Sequence, residues 1–125
     1  MALVLDAGAL IACERGDIVV TGLLLEAGLG NVPVRTSSAV VAQVWRGGAR
    51  QARLARVLSA VHEEPLDADR ARHIGTMLGE SGTSDVVDAS VVEIAEDGDE
   101  ILTGDPADIA KLVAVIGRTV NVLAI

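Results

Sequence analysis

The sequence predicts an α/β fold with three layers, α/β/α, around a central, mostly parallel sheet of four or five short strands. Residues 1–125 are expected to form it as a single domain. Three observations carry the expectation. Short strand-like runs at residues 2–5, 32–36, 100–103 and 119–123 alternate with longer helical stretches, the order that builds parallel sheets through crossover connections. The strand runs are apolar on both faces, as in a sheet covered by helices on each side. With 125 residues, half of them hydrophobic, the chain is long enough to bury one core. One Trp and no Tyr or Phe leave that core to aliphatic side chains.

The elements follow in order. Residues 2–5 form a buried strand that runs into Asp6 and Gly8, and a helix with Leu10, Ile11 and Glu14 follows. Gly16-Asp17 ends that helix and caps the next, over about residues 18–27, which Gly28, Gly30 and Asn31 stop. After the second strand, Ser37 or Ser38 caps a helix with Val40, Val41, Val44 and Trp45. Its β-branched residues require tertiary packing to hold it. Gly47-Gly48 breaks the chain, and residues 50–60 resume as a helix with Leu54, Val57 and Leu58 on its apolar side. Pro65-Leu66-Asp67 leads into a helix ending near Leu78 or Glu80. Ser84 is the expected cap of a helix from Asp85 to about Glu96, and Asp97-Gly98 turns the chain into the third strand. A helix over residues 105–116 and a last strand complete the domain.

Net charge is −8, which argues against nonspecific nucleic-acid binding by overall charge. The distribution is uneven: every charged residue from Glu80 to Asp108 is acidic, and the charged residues between Ala27 and Val61 are Arg35, Arg46, Arg50, Arg53 and Arg56. The single Cys13 excludes an internal disulfide, fits a cytoplasmic location, and sits among apolar neighbours as a buried thiol. Apolar runs such as residues 40–44 fall short of the roughly 20 residues that span a bilayer. No basic segment precedes the first of them, so neither membrane insertion nor a signal peptide is expected.

Two strands end in carboxylates, Asp6 after the first and Asp105 after the third. Parallel sheets bind ligands beyond the carboxyl ends of their strands, so Asp6 and Asp105 are candidates to face one another there. Asp85 and Asp88, three apart, share a helical face near a helix start, and Asp108 stands in the same relation to Asp105. Carboxylates gathered so closely repel one another unless a cation compensates them. Oxygen donors suit Mg²⁺ or Mn²⁺, and the absence of a Cys/His cluster argues against structural zinc. His62 and His73 lack metal-site spacing, Gly28-Leu29-Gly30 lacks the rest of a nucleotide-binding loop, and no serine lies in a hydrolase motif. A receiver-like phosphoacceptor would need paired acids after the first strand and a lysine after the last. Here Asp6 stands alone and Lys111 falls inside the last helix.

Three segments carry a family resemblance: Leu3-Val4-Leu5-Asp6-Ala7-Gly8-Ala9-Leu10-Ile11, Thr83-Ser84-Asp85-Val86-Val87-Asp88-Ala89, and Leu102-Thr103-Gly104-Asp105-Pro106-Ala107-Asp108. In order and spacing they resemble the acidic motifs of PIN-domain ribonucleases, especially the VapC toxins of type II toxin–antitoxin systems. The resemblance implies a PIN-like fold. It makes Asp6, Asp88 and Asp105 the catalytic acids and metal ligands, Asp85 a supporting acid, and Thr103 a hydrogen-bonding helper beside Asp105, with Asp108 in support. The family's glutamate in the helix after the second strand is replaced by Gln43, which carries no charge and is no general base.

The implied activity is Mg²⁺- or Mn²⁺-dependent hydrolysis of RNA phosphodiester bonds, water attacking opposite the leaving 3′ oxygen to yield a 5′-phosphate. The alternative, which Gln43 motivates, is a catalytically weak or inactive PIN-like domain that binds RNA or an antitoxin. Arg46, Arg50 and Arg53 (with Arg56) would contact RNA phosphates from one helical face if the Gly47-Gly48 break is slight. Trp45 is assigned to packing, with stacking on a base or on a partner protein as the alternative. The resemblance also implies a cognate antitoxin protein as partner and a homodimer, with Leu23, Leu24 and Leu25 as apolar contact surface.

Overall fold

In a computed structural model describing residues 1–125, five parallel strands form one sheet: β1 (Leu3–Leu5), β2 (Val34–Ser37), β3 (His62–Glu64), β4 (Glu100–Thr103) and β5 (Asn121–Ala124), in the order β3-β2-β1-β4-β5. Seven α-helices connect them: α1 (Ala7–Glu14), α2 (Ile18–Leu29), α3 (Ser38–Val44), α4 (Ala52–Ser59), α5 (Ala68–Ser81), α6 (Val86–Ile94) and α7 (Pro106–Ile116). The three-layer α/β/α architecture is the one expected. Helices α5, α6 and α7 pack on one another, α1 packs on α2 and α4, and α3 touches both α1 and α6.

The four expected strands are present, with shifts of up to two residues at their ends. A fifth was allowed for, but its place in the chain, β3, was not foreseen. Its sequence, His-Glu-Glu, has no apolar residue, because it is the sheet edge and pairs only with β2, through Arg35 with His62 and Ser37 with Glu64. An edge strand tolerates charge that a central strand excludes.

Capping follows chemistry with one correction. Asp17 caps α2 by accepting the Val20 N–H at 3.0 Å, and Ser37 caps α3. Asp85, rather than Ser84, caps α6, its Oδ1 accepting the Asp88 N–H at 3.0 Å. The break at Gly47-Gly48 is also larger than a continuous helical face allows. Trp45 leaves α3 in extended backbone, both glycines take positive φ (80° and 96°), and a 3-10 turn at Ala49–Gln51 precedes α4. Arg46 therefore does not share a helical face with Arg50, Arg53 and Arg56, and the expectation of one arginine stripe is corrected.

One cluster of 20 buried apolar residues forms the core, among them Val4, Leu5, Leu10, Leu54, Val91, Ile101, Leu102 and Ile109. Cys13 is buried, and that burial, helped by the charge of Asp17 and opposed by a backbone hydrogen bond, pushes its thiol above the ordinary range. No helix is long and apolar enough to cross a membrane.

The sheet order places the topological switch between β1 and β4. From β1 the chain steps outward to β2 and β3, then returns to the other side of β1 as β4 and continues to β5. At such a switch the connections after the two strands diverge to opposite faces and leave a crevice at their carboxyl ends. Asp6 follows β1 there, and Gly104-Asp105 follows β4.

Candidate metal centre

Asp6 is buried in this crevice. It caps α1, its Oδ1 accepting the Ala9 N–H at 2.8 Å, while Oδ2 accepts the Gly104 N–H at 3.2 Å. The approach is close enough to favour glycine on the α1 side: a Cβ on Gly8 would lie 3.1 Å from the Gly104 nitrogen, 3.2 Å from its Cα and 3.3 Å from Asp6 Oδ1.

After β4, the buried Thr103 accepts the Asp105 N–H on Oγ1 at 2.8 Å. That bond shapes the turn into α7. Asp105 occupies the cap position of α7 but makes no capping bond, so its carboxylate stays free, while Pro106 begins the helix without an N–H to satisfy. One turn further on, Asp108 projects to the same place.

The third contribution comes from α6. One side-chain oxygen each from Asp88, Asp105 and Asp108 lie within 4.8 Å of one another. Asp88 is pushed up to about 7, first by burial and then by the charges of Asp85, Asp105, Asp6 and Asp108. Asp105 is raised too, by partial loss of solvent and by Asp108, with which it competes for a proton. Asp88 Oδ2 is buried with no hydrogen-bond partner. A buried, unpartnered carboxylate oxygen among other carboxylates is a donor set able to hold a cation, and an all-oxygen set fits Mg²⁺ or Mn²⁺.

Asp88, Asp105 and Asp108 thus form the tightest group. Asp6 lies beside it, close enough for its charge to act on both Asp88 and Asp105. Asp85 is committed to capping α6, and Gln43 is exposed on α3, the helix that packs on both α1 and α6. Arg46 and Arg50 are exposed in the connection between α3 and α4, whereas Arg53 donates to the Glu14 carbonyl at 3.3 Å. That carbonyl ends α1, about 12 Å of helix away from the Asp6 end.

Sequence reasoning missed the side chains that hold α6 and β2 in place. Thr36 Oγ1 donates to the Leu5 carbonyl at 2.8 Å, just before Asp6. The hydroxyls of Ser37 and Ser90 lie 2.7 Å apart. Ser90 gives its proton to the Val87 carbonyl at 2.6 Å, so Ser37 is the donor between the two. This bond pins α6 two residues beyond Asp88. Ser37 was visible as a cap, but no local signal marked Ser90.

No family model matches the sequence, and no curated protein matches it. Among solved structures, a chain of the crystal structure of VapBC2 from Rickettsia felis bound to a DNA fragment from their promoter is similar to it, with a TM-score of 0.71 at 13% sequence identity. The likeness covers 98% of this chain and 99% of that one. The fold is PIN-like. In this PIN-like fold the acidic group lies at the crevice of the β1–β4 switch, and its capacity to hold a metal rests on the side chains described above.

Proposed function

We propose that the chain is a divalent-metal-dependent endoribonuclease of the PIN type and acts as the toxin of a toxin–antitoxin pair. The observation that carries this reading is the convergence of Asp88, Asp105 and Asp108 around the unpartnered Asp88 Oδ2, with Asp6 alongside. Asp88, Asp105 and Asp108 would hold Mg²⁺ or Mn²⁺, and Asp6 would complete the negative field. A cation bound there supplies charge stabilisation at a phosphoryl oxygen and activates water for in-line attack. The protein supplies position. Asp6 ties the β1 and β4 ends together, Thr103 sets the turn that aims Asp105, and the Ser37–Ser90 bond fixes the helix bearing Asp88. Burial and the neighbouring carboxylates push the Asp88 carboxyl up to about 7, so a cation bound there would compete with a proton near neutral pH.

Arg46 and Arg50 are assigned to RNA phosphates, with Arg53 further along the same surface. A cognate antitoxin and a second copy of the chain are the proposed protein partners. The apolar face of α2 is available to them, with Ile18 87% and Leu29 79% exposed and Leu25 largely so. Together with Leu24, Leu25 lines a groove of about 440 Å³ between α2 and α4.

The test is cleavage of a mixed RNA pool by wild type, Asp6→Asn and Asp88→Asn, with chelator and with Mg²⁺ or Mn²⁺. Cation-dependent cleavage that both substitutions suppress is expected. Equal residual activity in all three proteins, or none in folded, partner-free wild type, refutes the proposal. Gln43 motivates a second reading, binding without turnover. A large gain in cleavage by Gln43→Glu would favour it, whereas we expect little change.

A further inference from the structure

We infer that Trp45 and Arg46, presented on a turn clamped by Gln51, form a stacking platform for an unpaired nucleobase of the RNA. The inference rests on the proposed RNA chemistry and deepens it, adding a base-binding subsite specific to this turn.

Trp45 is the one aromatic residue of the chain and is 42% exposed. The buried core closes without it, on aliphatic side chains and one methionine. Its assignment to packing is thereby corrected in part: the side chain remains partly at the surface.

The turn beneath it is built for rigidity. Gln51 is buried, and its amide is spent wholly on the backbone flanking Trp45. Oε1 accepts the Arg46 N–H at 2.8 Å and the Gly47 N–H at 2.9 Å, while Nε2 donates to the Val44 carbonyl at 2.9 Å. A Cβ on Gly47 would sit 3.9 Å from the indole nitrogen, and the positive φ there favours glycine in any case. Arg46 is held alongside by donating to the Trp45 carbonyl at 2.8 Å and the Ala42 carbonyl at 3.3 Å.

Charge points the same way. In a chain of net charge −8, the ion pairs of arginine use Arg35 and Arg70, and none involves Arg46, Arg50, Arg53 or Arg56. The platform lies at the far end of the helix that packs on α6. Helix α3 begins at the Ser37–Ser90 bond, two residues from Asp88, and its seven residues span about 10 Å before Trp45. A flat apolar face beside unpaired cations matches a base and its phosphate together, and bases already stacked in a duplex cannot use it.

The single tryptophan makes its own fluorescence the reporter. Wild type in chelator, and Asp88→Asn in Mg²⁺, would be titrated with an unpaired RNA oligonucleotide, the same sequence as duplex, inorganic polyphosphate and polyglutamate. Unpaired RNA is expected to quench Trp45, and the other three are not. By anisotropy of end-labelled RNA, Trp45→Leu should weaken binding about tenfold or more, and Trp45→Phe should restore most of it. Thermal melts would verify that both variants fold. Equal quenching by polyphosphate, quenching by polyglutamate in place of RNA, or unchanged affinity in Trp45→Leu overturns the platform. Quenching by RNA in a wild type that never cleaves supports the platform and refutes hydrolysis. Cleavage without quenching refutes the platform alone.

Discussion

Asp6 Oδ2 accepts the Gly104 N–H at 3.2 Å across 98 residues of chain, joining the carboxyl ends of β1 and β4 through one buried carboxylate. The same side chain caps α1 through its other oxygen. The crevice that gathers the acids therefore depends on a residue that is itself one of them.

Asp6→Asn and Asp6→Ala should separate these duties. Asn caps a helix about as well as Asp, so Asp6→Asn should melt close to wild type. Its cleavage should fall about 10–100-fold through loss of charge beside the cation. Asp6→Ala should cost a further ~1–3 kcal/mol, since it leaves the Ala9 and Gly104 N–H groups without that acceptor. Denaturant unfolding and RNA cleavage on the two variants check both.

Gly8→Ala places a methyl against the Gly104 backbone and Asp6 Oδ1. One strand end must shift, at a cost of about 1–3 kcal/mol. Because the shift opens the crevice, Mn²⁺ affinity measured by calorimetry should fall as well. Unchanged affinity together with unchanged stability would contradict the close approach.

Asp88 gives a pH signature. Its carboxyl ordinarily titrates near 3.8 and in the folded, metal-free chain near 7, so the folded state binds the proton more tightly than the unfolded one. Its contribution to stability is full below about pH 4 and is lost as pH rises through about 7. In chelator, the melting temperature should fall between about pH 5 and pH 8, and Asp88→Asn should flatten that slope. Mn²⁺ must displace the proton, so its stabilising effect should be larger at the higher pH. Identical slopes in wild type and Asp88→Asn would be the contrary result.

Glu64 behaves oppositely. Burial pushes its carboxyl up, but hydrogen bonds from Arg70 and Arg35, with their charges, outweigh that and hold it below 4.5. Its stabilisation is present above the ordinary glutamate range and is lost as pH falls through its lowered value. Glu64→Gln should destabilise the fold by about 1.5–3 kcal/mol at neutral pH while leaving RNA cleavage unchanged, since Glu64 bonds to Arg35 and Arg70 and to none of the clustered acids. A melt and a cleavage assay decide it.

Much of the fold was legible locally. The apolar runs ending at Leu5 and Thr103 marked two central strands, and the breaks at Gly16-Asp17 and Gly30 placed α2, because strand burial and helix capping leave signals within a few residues. The edge strand β3 carried none, since its partner alone makes it a strand. The acidic stretch from Glu80 to Asp108 read as uncompensated. Yet Arg35 reaches Asp99 at 3.4 Å, Arg70 reaches Glu93 at 3.4 Å, and Arg118 donates to the Glu93 and Ala95 carbonyls. Asp108 read as an accessory to Asp105 and proves to be a full member of the tight acidic group.

By itself the sequence determined the element types, the acids at the ends of β1 and β4, and the chemistry those acids suit, because propensity, capping and oxygen-donor character reside in single residues and short spacings. Only the tertiary structure decided which acids meet, which arginines are neutralised and how far Trp45 stays at the surface. Those outcomes depend on distances between segments as much as 98 residues apart, set by the order in which the strands enter the sheet.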